Sequence, residues 1–236
     1  MGELWVGSTP IGNLSDASPR LREAIEKADL IACEDTRVCA SLCAALGLRY
    51  RRMVSYYEQN ERQRCDELAG ELAAGKTILL LSSAGTPLIS DPGYHIVKRA
   101  VEEGVRVSPI PGPCAAIAAL SCSGLRVDKF AFLGFPPRKP GKLRSFLTSH
   151  AGFDGTLIMY ESANRVARLA TAAYEVFGPV QGVLGREITK LHEEFIRGNL
   201  RMLAAELEAR PNLKGECCLM IELREDNAGV GLEAES

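Results

Sequence analysis

Five short apolar runs, each closed by turn-forming residues and followed by a stretch of helical spacing, constrain this 236-residue sequence more than any other feature. They fall at residues 4–6, 30–33, 53–56, 77–81 and 106–110. A short, unbroken apolar run bounded by turn formers reads as a strand covered on both faces. Strand and helix in regular alternation build a parallel sheet with right-handed crossovers, so the first half of the chain reads as α/β.

The run at 77–81 (TILLL) opens into the longest of the intervening loops, SSAGTPLISDPGY at 82–94. A helix follows, with apolar Ile96, Val97, Ala100 and Val101 and a stop at Gly104. A structural turn from strand to helix needs about two to six residues, and this loop has twice that. Open α/β sheets bind ligands beyond the carboxyl ends of their strands, where glycine lets the main chain approach closely. GSTPIGNL (7–14) and PGPCA (111–115) end two other strands in the same manner, so the three loops are expected on one edge. Glu34, Asp35 and Arg37 close the strand at 30–33; they are expected to line a cleft, with Asp35 or Thr36 as a helix cap the alternative.

Ser18 with Pro19 marks a helix start, and Leu21, Ala24, Ile25 and Ala28 form its apolar stripe. Asn60 reads as the cap of a helix reaching Ala74. GELAAGKT at 70–77 matches the phosphate-loop pattern letter for letter, but a helix precedes it and a strand follows, the reverse of what phosphate binding requires. A boundary is expected at 124–128, giving α/β domains at 1–124 and 125–236. In the second, strands are expected at 130–133, 156–160, 180–184 and 217–223, with helices ending near Ser149 and Phe177 and another at 200–207. The segment 138–144 carries Arg138, Lys139, Lys142 and Arg144 without a negative charge, as a solvated loop or an anion-contacting flap. The acidic tail from about 224 is expected to fray.

With 28 basic and 30 acidic residues the net charge is -2, so any polyanionic partner must be met by a local patch. No run of about 18 apolar residues exists, and the amino terminus lacks a basic-then-apolar leader; a soluble cytoplasmic protein without membrane contact is expected. The eight cysteines include no C-x-x-C pair and read as reduced, small hydrophobes; a metal site on Cys33, Cys39 and Cys43 is disfavoured because no histidine lies nearby. His192-Glu193-Glu194 is not followed by the second histidine that a zinc helix requires, so no metal is expected.

Seven blocks in order, TPIGNL (9–14), CEDTR (33–37), SAGTPLISDPGY (83–94), PGPCAA (111–116), YES (160–162), GREITKLHEEF (185–195) and KGE (214–216), resemble the tetrapyrrole methylase superfamily. Within it they look most like the branch that methylates the ribose 2′-oxygen of a cytidine in the decoding region of small-subunit ribosomal RNA. The resemblance spans residues 3–223 and implies two α/β domains with S-adenosylmethionine in the inter-domain cleft, a homodimer, and the small ribosomal subunit as partner. It places Pro10, Ser82, Thr86, Ile89, Cys114, Ala115, Tyr160, Gly185 and Cys217 around the methyl donor. Glu34, Asp35, Arg37 and Lys190 fall on the acceptor side, with Glu34, Asp35 or a neutral Lys190 as the group that takes the hydroxyl proton and Arg37 as a phosphate contact.

The chain departs from the family pattern at Ser83, where Asp is usual, at Cys114 (Ser), Tyr57 and Gln59 (both His), and Ala163-Asn164 (Pro-His). Many members also carry a small carboxyl-terminal helical extension that this sequence does not reach. Two rival functions are a methylase of a corrin or porphyrin precursor, which the basic segment suits equally, and a non-catalytic binder of S-adenosylmethionine or RNA.

Overall fold

Strands β1 (Glu3–Gly7), β2 (Leu30–Cys33), β3 (Met53–Ser55), β4 (Thr77–Leu81) and β5 (Arg106–Ile110) pair in the order β3-β2-β4-β1-β5, every pair parallel. They appear in a computed structural model that describes residues 2–224, so the expected fraying of the tail lies outside the described residues. The chain divides into two compact units after Cys114.

Helices α1 (Pro19–Lys27) and α2 (Thr36–Ala45) pack on one face of the first sheet, and α3 (Glu61–Ala73) and α4 (Tyr94–Glu102) on the other. The strands serve both faces alternately: Ile78 and Leu80 join α3 and α4, while Leu79 and Leu81 join α1 and α2. This two-sided burial is why the strands read as unbroken apolar runs. Ser18 caps α1 by accepting from Leu21 N at 3.1 Å, with Pro19 at the first helical position. Asn60, expected to cap α3, makes no cap bond; its side chain instead accepts from Tyr57 N at 2.8 Å and donates to Ser55 O at 3.2 Å, tying down the turn before the helix. Residues 70–77 run from helix into β4, the order that disqualifies a phosphate loop.

The second unit begins with α5 (Ala115–Ser121), earlier than the expected boundary at 124–128, because α5 packs on strands of the second sheet. It continues with β6 (Phe130–Phe132), α6 (Pro140–Thr148), β7 (Gly155–Ser162), α7 (Ala163–Phe177), β8 (Gln181–Arg186), β9 (Glu194–Asn199), α8 (Leu200–Glu208) and β10 (Glu216–Leu223). The sheet order is β6-β7-β10-β8-β9; β6 and β7 are parallel and the other three pairs antiparallel. Strand β9 goes unread in the sequence because it buries a single large residue, Ile196, so no apolar run marks it. Helices α6, α7 and α8 share one core with β7, β8, β9 and β10. Of the basic segment, expected as a solvated loop or an anion-contacting flap, Lys142 and Arg144 lie on α6, which starts at Pro140. Among the described residues no helix is long and apolar enough to cross a membrane.

Candidate active site

In the first sheet β4, β1 and β5 are consecutive neighbours, so the loops that leave their carboxyl ends emerge side by side. They are stitched together by short polar side chains and main chain. Thr9 and Gly85 exchange backbone hydrogen bonds at 2.9 and 3.1 Å, joining the loops after β1 and β4. The Thr86 hydroxyl donates its one proton to Pro113 O at 2.9 Å and therefore accepts from Ser8 Oγ, also at 2.9 Å, linking all three loops. Ser82 Oγ donates to Gly85 O at 2.9 Å, and Thr9 Oγ1 to Ser82 O at 3.3 Å. At Gly112 a Cβ would sit 3.0 Å from that of Ser8, so the close approach of the β1 and β5 loops needs the glycine. Leu88 and Ser90 hold left-handed backbone, φ +72° and +67°, a strain of about 1 kcal/mol or more each that surrounding bonds must hold in place. Pro10, Ser82, Thr86, Ile89 and Cys114 all lie on these loops; Ser82 is buried, Pro10 and Cys114 half-buried, and Ile89 exposed.

The amino terminus of α4, where this loop ends, is already filled from inside. The buried Glu61 carboxylate accepts from Gly93 N at 3.0 Å, His95 N at 3.1 Å and the Tyr56 hydroxyl at 3.0 Å, while the same hydroxyl accepts from Ile96 N at 3.2 Å. A helix amino terminus is ordinarily the place for a phosphate. With an internal carboxylate occupying it, the loop cluster fits a ligand that brings no phosphate, and S-adenosylmethionine is such a ligand. Nothing local in the sequence links Glu61 to residues 93–96, and the pair was legible only once α3 and α4 lay together.

At the end of β2, Glu34 Oε2 accepts from Ser83 Oγ at 2.8 Å. Asp35 does become the cap of α2, accepting from Arg37 N at 2.8 Å. The Arg37 guanidinium bonds the same carboxylate at 3.2 and 2.8 Å, and these bonds hold Asp35 well below the usual carboxylate range, at about 2. Such a carboxylate is a poor proton acceptor near neutral pH. Arg37 itself is 88% exposed.

In the second unit, Tyr160 of β7, Cys218 of β10 and Gly185 of β8 stand opposite one another in one cross-strand row and so share a face. The Tyr160 hydroxyl accepts from Ala116 N at 2.9 Å, in the first turn of α5 next to Ala115, and its ring meets Phe132 and Phe135 edge-on at 4.8 and 5.7 Å. Cys217 is one step out of register with this row: its side chain joins the core under α6–α8, where burial pushes the thiol up to about 12 and keeps it neutral. The adjacent Cys217 and Cys218 could be told apart only by register, which sets Cys218 beside Tyr160 and Gly185. Gly185 is tight as well, a Cβ there meeting Ile188 and Phe195 at 3.1 and 3.2 Å.

Lys190, in the turn between β8 and β9, donates to Glu187 Oε1 and Glu216 Oε2, both at 2.9 Å. Burial would lower its pKa, but the two carboxylates outweigh this and raise it. The expectation of a neutral Lys190 as base therefore does not fit: the side chain is held as an ammonium. Among the described residues no three His, Cys, Asp or Glu side chains gather as a metal-binding group.

Residues 4–204 match the family model of the tetrapyrrole (corrin/porphyrin) methylases, and the chain belongs to that family. Its class is thus a methyltransferase of two α/β units. Among its relatives, the protein named ribosomal RNA small subunit methyltransferase I of Mesorhizobium japonicum is 43% identical over 92% of this chain and 74% of its own length. The protein of the same name from Xylella fastidiosa is 40% identical over 94% of this chain and 81% of its own. Solved structures share the fold at lower identity. Uroporphyrin-III C-methyltransferase from Thermus thermophilus superposes with a TM-score of 0.65 at 16% identity, covering 97% of this chain and 98% of that one. A crystal structure of the Thermus enzyme complexed with S-adenosyl homocysteine gives 0.61 at 18%, covering 94% and 97%.

Proposed function

We propose that this chain transfers the methyl group of S-adenosylmethionine to the ribose 2′-oxygen of a cytidine in the decoding region of small-subunit ribosomal RNA. The observation that carries the reading is identity of 40–43% to relatives named for small-subunit ribosomal RNA methylation, over nine-tenths of the chain. The corrin and porphyrin enzymes among the structural neighbours stand at 15–18% identity, which supports a common fold and no particular acceptor. The donor-side residues are Pro10, Ser82, Thr86, Ile89 and Cys114 on the linked loops, and Ala115, Tyr160 and Gly185 with Cys218 in the second unit. Cys217 contributes through its main chain, since its thiol faces the core.

Bound S-adenosylmethionine supplies an electrophilic methyl group on a sulfonium whose leaving thioether is neutral. The protein's work is then to align the acceptor oxygen and to take its proton. Glu34 is the acceptor-side carboxylate bonded by a hydroxyl rather than by a guanidinium, and it takes the role of base. Ser83, where the family pattern has Asp, donates to Glu34 instead of facing it with a second negative charge. Arg37, highly exposed, meets an RNA phosphate. The same reading makes it a cytoplasmic homodimer, an assembly that sedimentation would test.

The test is incubation with methyl-labelled S-adenosylmethionine and, separately, unmethylated small ribosomal subunits and a precursor corrinoid. Label recovered as 2′-O-methylcytidine supports the reading. Label in the corrinoid alone, or donor binding without transfer to either, removes it.

A further inference from the structure

Glu187 and Glu216 both hold Lys190, but they are not equivalent. The Glu187 side chain is 19% exposed, and its Oε1 accepts from the Glu216 amide at 3.0 Å as well as from Lys190 at 2.9 Å. Its own amide donates to Glu216 O at 3.0 Å, closing a two-way clasp between the turn after β8 and the start of β10. Gly215 makes room for it: φ there is +104°, and a Cβ would fall 2.5 Å from Glu187 Oε1. Within the turn Glu187 and Thr189 hold left-handed backbone, φ +49° and +67°, and Thr189 Oγ1 is buried without a partner among the described residues. Strain of this kind persists where neighbouring bonds over-determine the conformation, and it concentrates at binding sites.

Glu216, by contrast, is 83% exposed and holds Lys190 by a single surface ion pair. Such a pair contributes little and exchanges readily for a better anion. The neighbouring cation Arg186 is already committed, to Glu194 at 2.9 Å and to Lys214 O at 3.0 Å.

We propose that Lys190 grips a phosphate of the RNA acceptor, that Glu187 is the positioning residue that aims it, and that Glu216 is a place-holder which the phosphate displaces. The proposal rests on the RNA reading above and deepens it. It makes a prediction that an ordinary structural ion-pair cluster does not: removing the two carboxylates from one lysine must have opposite effects.

The experiment measures KM for unmethylated small subunits at saturating S-adenosylmethionine. Glu216→Ala is expected to lower KM about threefold, because the competitor is gone. Glu187→Gln is expected to raise it fivefold or more, and Lys190→Ala about tenfold, with the slope of log kcat/KM against log salt becoming shallower by about 0.7–0.9, the loss of one phosphate contact. Thermal unfolding of each variant accompanies the kinetics; should Glu187→Gln fail to fold, Glu216→Ala and the salt slope of Lys190→Ala decide. If the wild type methylates subunits but Glu216→Ala leaves KM unchanged or raises it, this proposal falls alone. If the wild type does not methylate them, it falls together with the RNA reading.

Discussion

The two units solve the same problem, holding a chemically competent edge on a sheet, with different materials. In the first, the loops after β1, β4 and β5 are joined by neutral partners: hydroxyls of Ser8, Ser82 and Thr86, and main-chain bonds between Thr9 and Gly85. In the second, the turn between β8 and β9 is held by charge: Lys190 between Glu187 and Glu216, and Glu194 between Arg186 and Arg210. A neutral network survives changes of salt and acidity that an ionic one does not. The stitches between the three loops of the first unit are thus little affected by salt, while the ion pairs at the turn of the second are screened by it.

The sharpest way to break this contrast is through the supports beneath the first edge. Leu80 is almost fully buried between β4 and the α3–α4 layer, and Leu80→Ala is expected to cost about 3 kcal/mol of stability by denaturant unfolding. Glu61→Ala strands the Tyr56 hydroxyl and the Gly93 and His95 amides, and is expected to cost about 2–3 kcal/mol and to loosen the 82–93 loop, read as faster hydrogen exchange at residues 93–96. Thr86→Val removes the shared hydroxyl for about 1–2 kcal/mol.

On the ionic side the test is acid. The bonds from Arg210, then Arg186, hold the Glu194 carboxyl down at about 2, from an ordinary value of 4.5. A carboxylate with a depressed folded-state pKa stabilises the fold above its ordinary value, and that contribution is lost as pH falls from 4.5 toward 2. The wild type is expected to lose stability through this window more steeply than Glu194→Gln; parallel curves would show that the network adds nothing. The smallest effect belongs to the exposed pair Lys27–Glu23, where Glu23→Gln should change stability by less than about 0.5 kcal/mol in either unit's unfolding transition.

The same contrast explains what the sequence disclosed. In the first unit β2 and β4 are buried along almost their whole length and stand out as apolar runs; their observed limits, and those of β5, match those expected from residues 30–33, 77–81 and 106–110. The convergence of the Gly- and Pro-rich loops on one edge follows from parallel strands alone. In the second unit three of four strand pairs are antiparallel, and strand-helix alternation carries no information about that. The register that turns Cys217 inward and sets Cys218 beside Tyr160 and Gly185 is fixed by partners far apart in the chain. The cap that Glu61 places on α4 and the two carboxylates on Lys190 are likewise long-range, at separations of 32 residues for Glu61 to Gly93 and 26 for Lys190 to Glu216.

The most direct measurement is calorimetric titration of S-adenosylmethionine into the wild type and into Thr86→Val, at a temperature where both remain folded. If the stitched loops of the first unit are the donor site, the wild type binds saturably and the variant binds tenfold or more weakly. No binding to the wild type, or equal affinity in the two proteins, would contradict it.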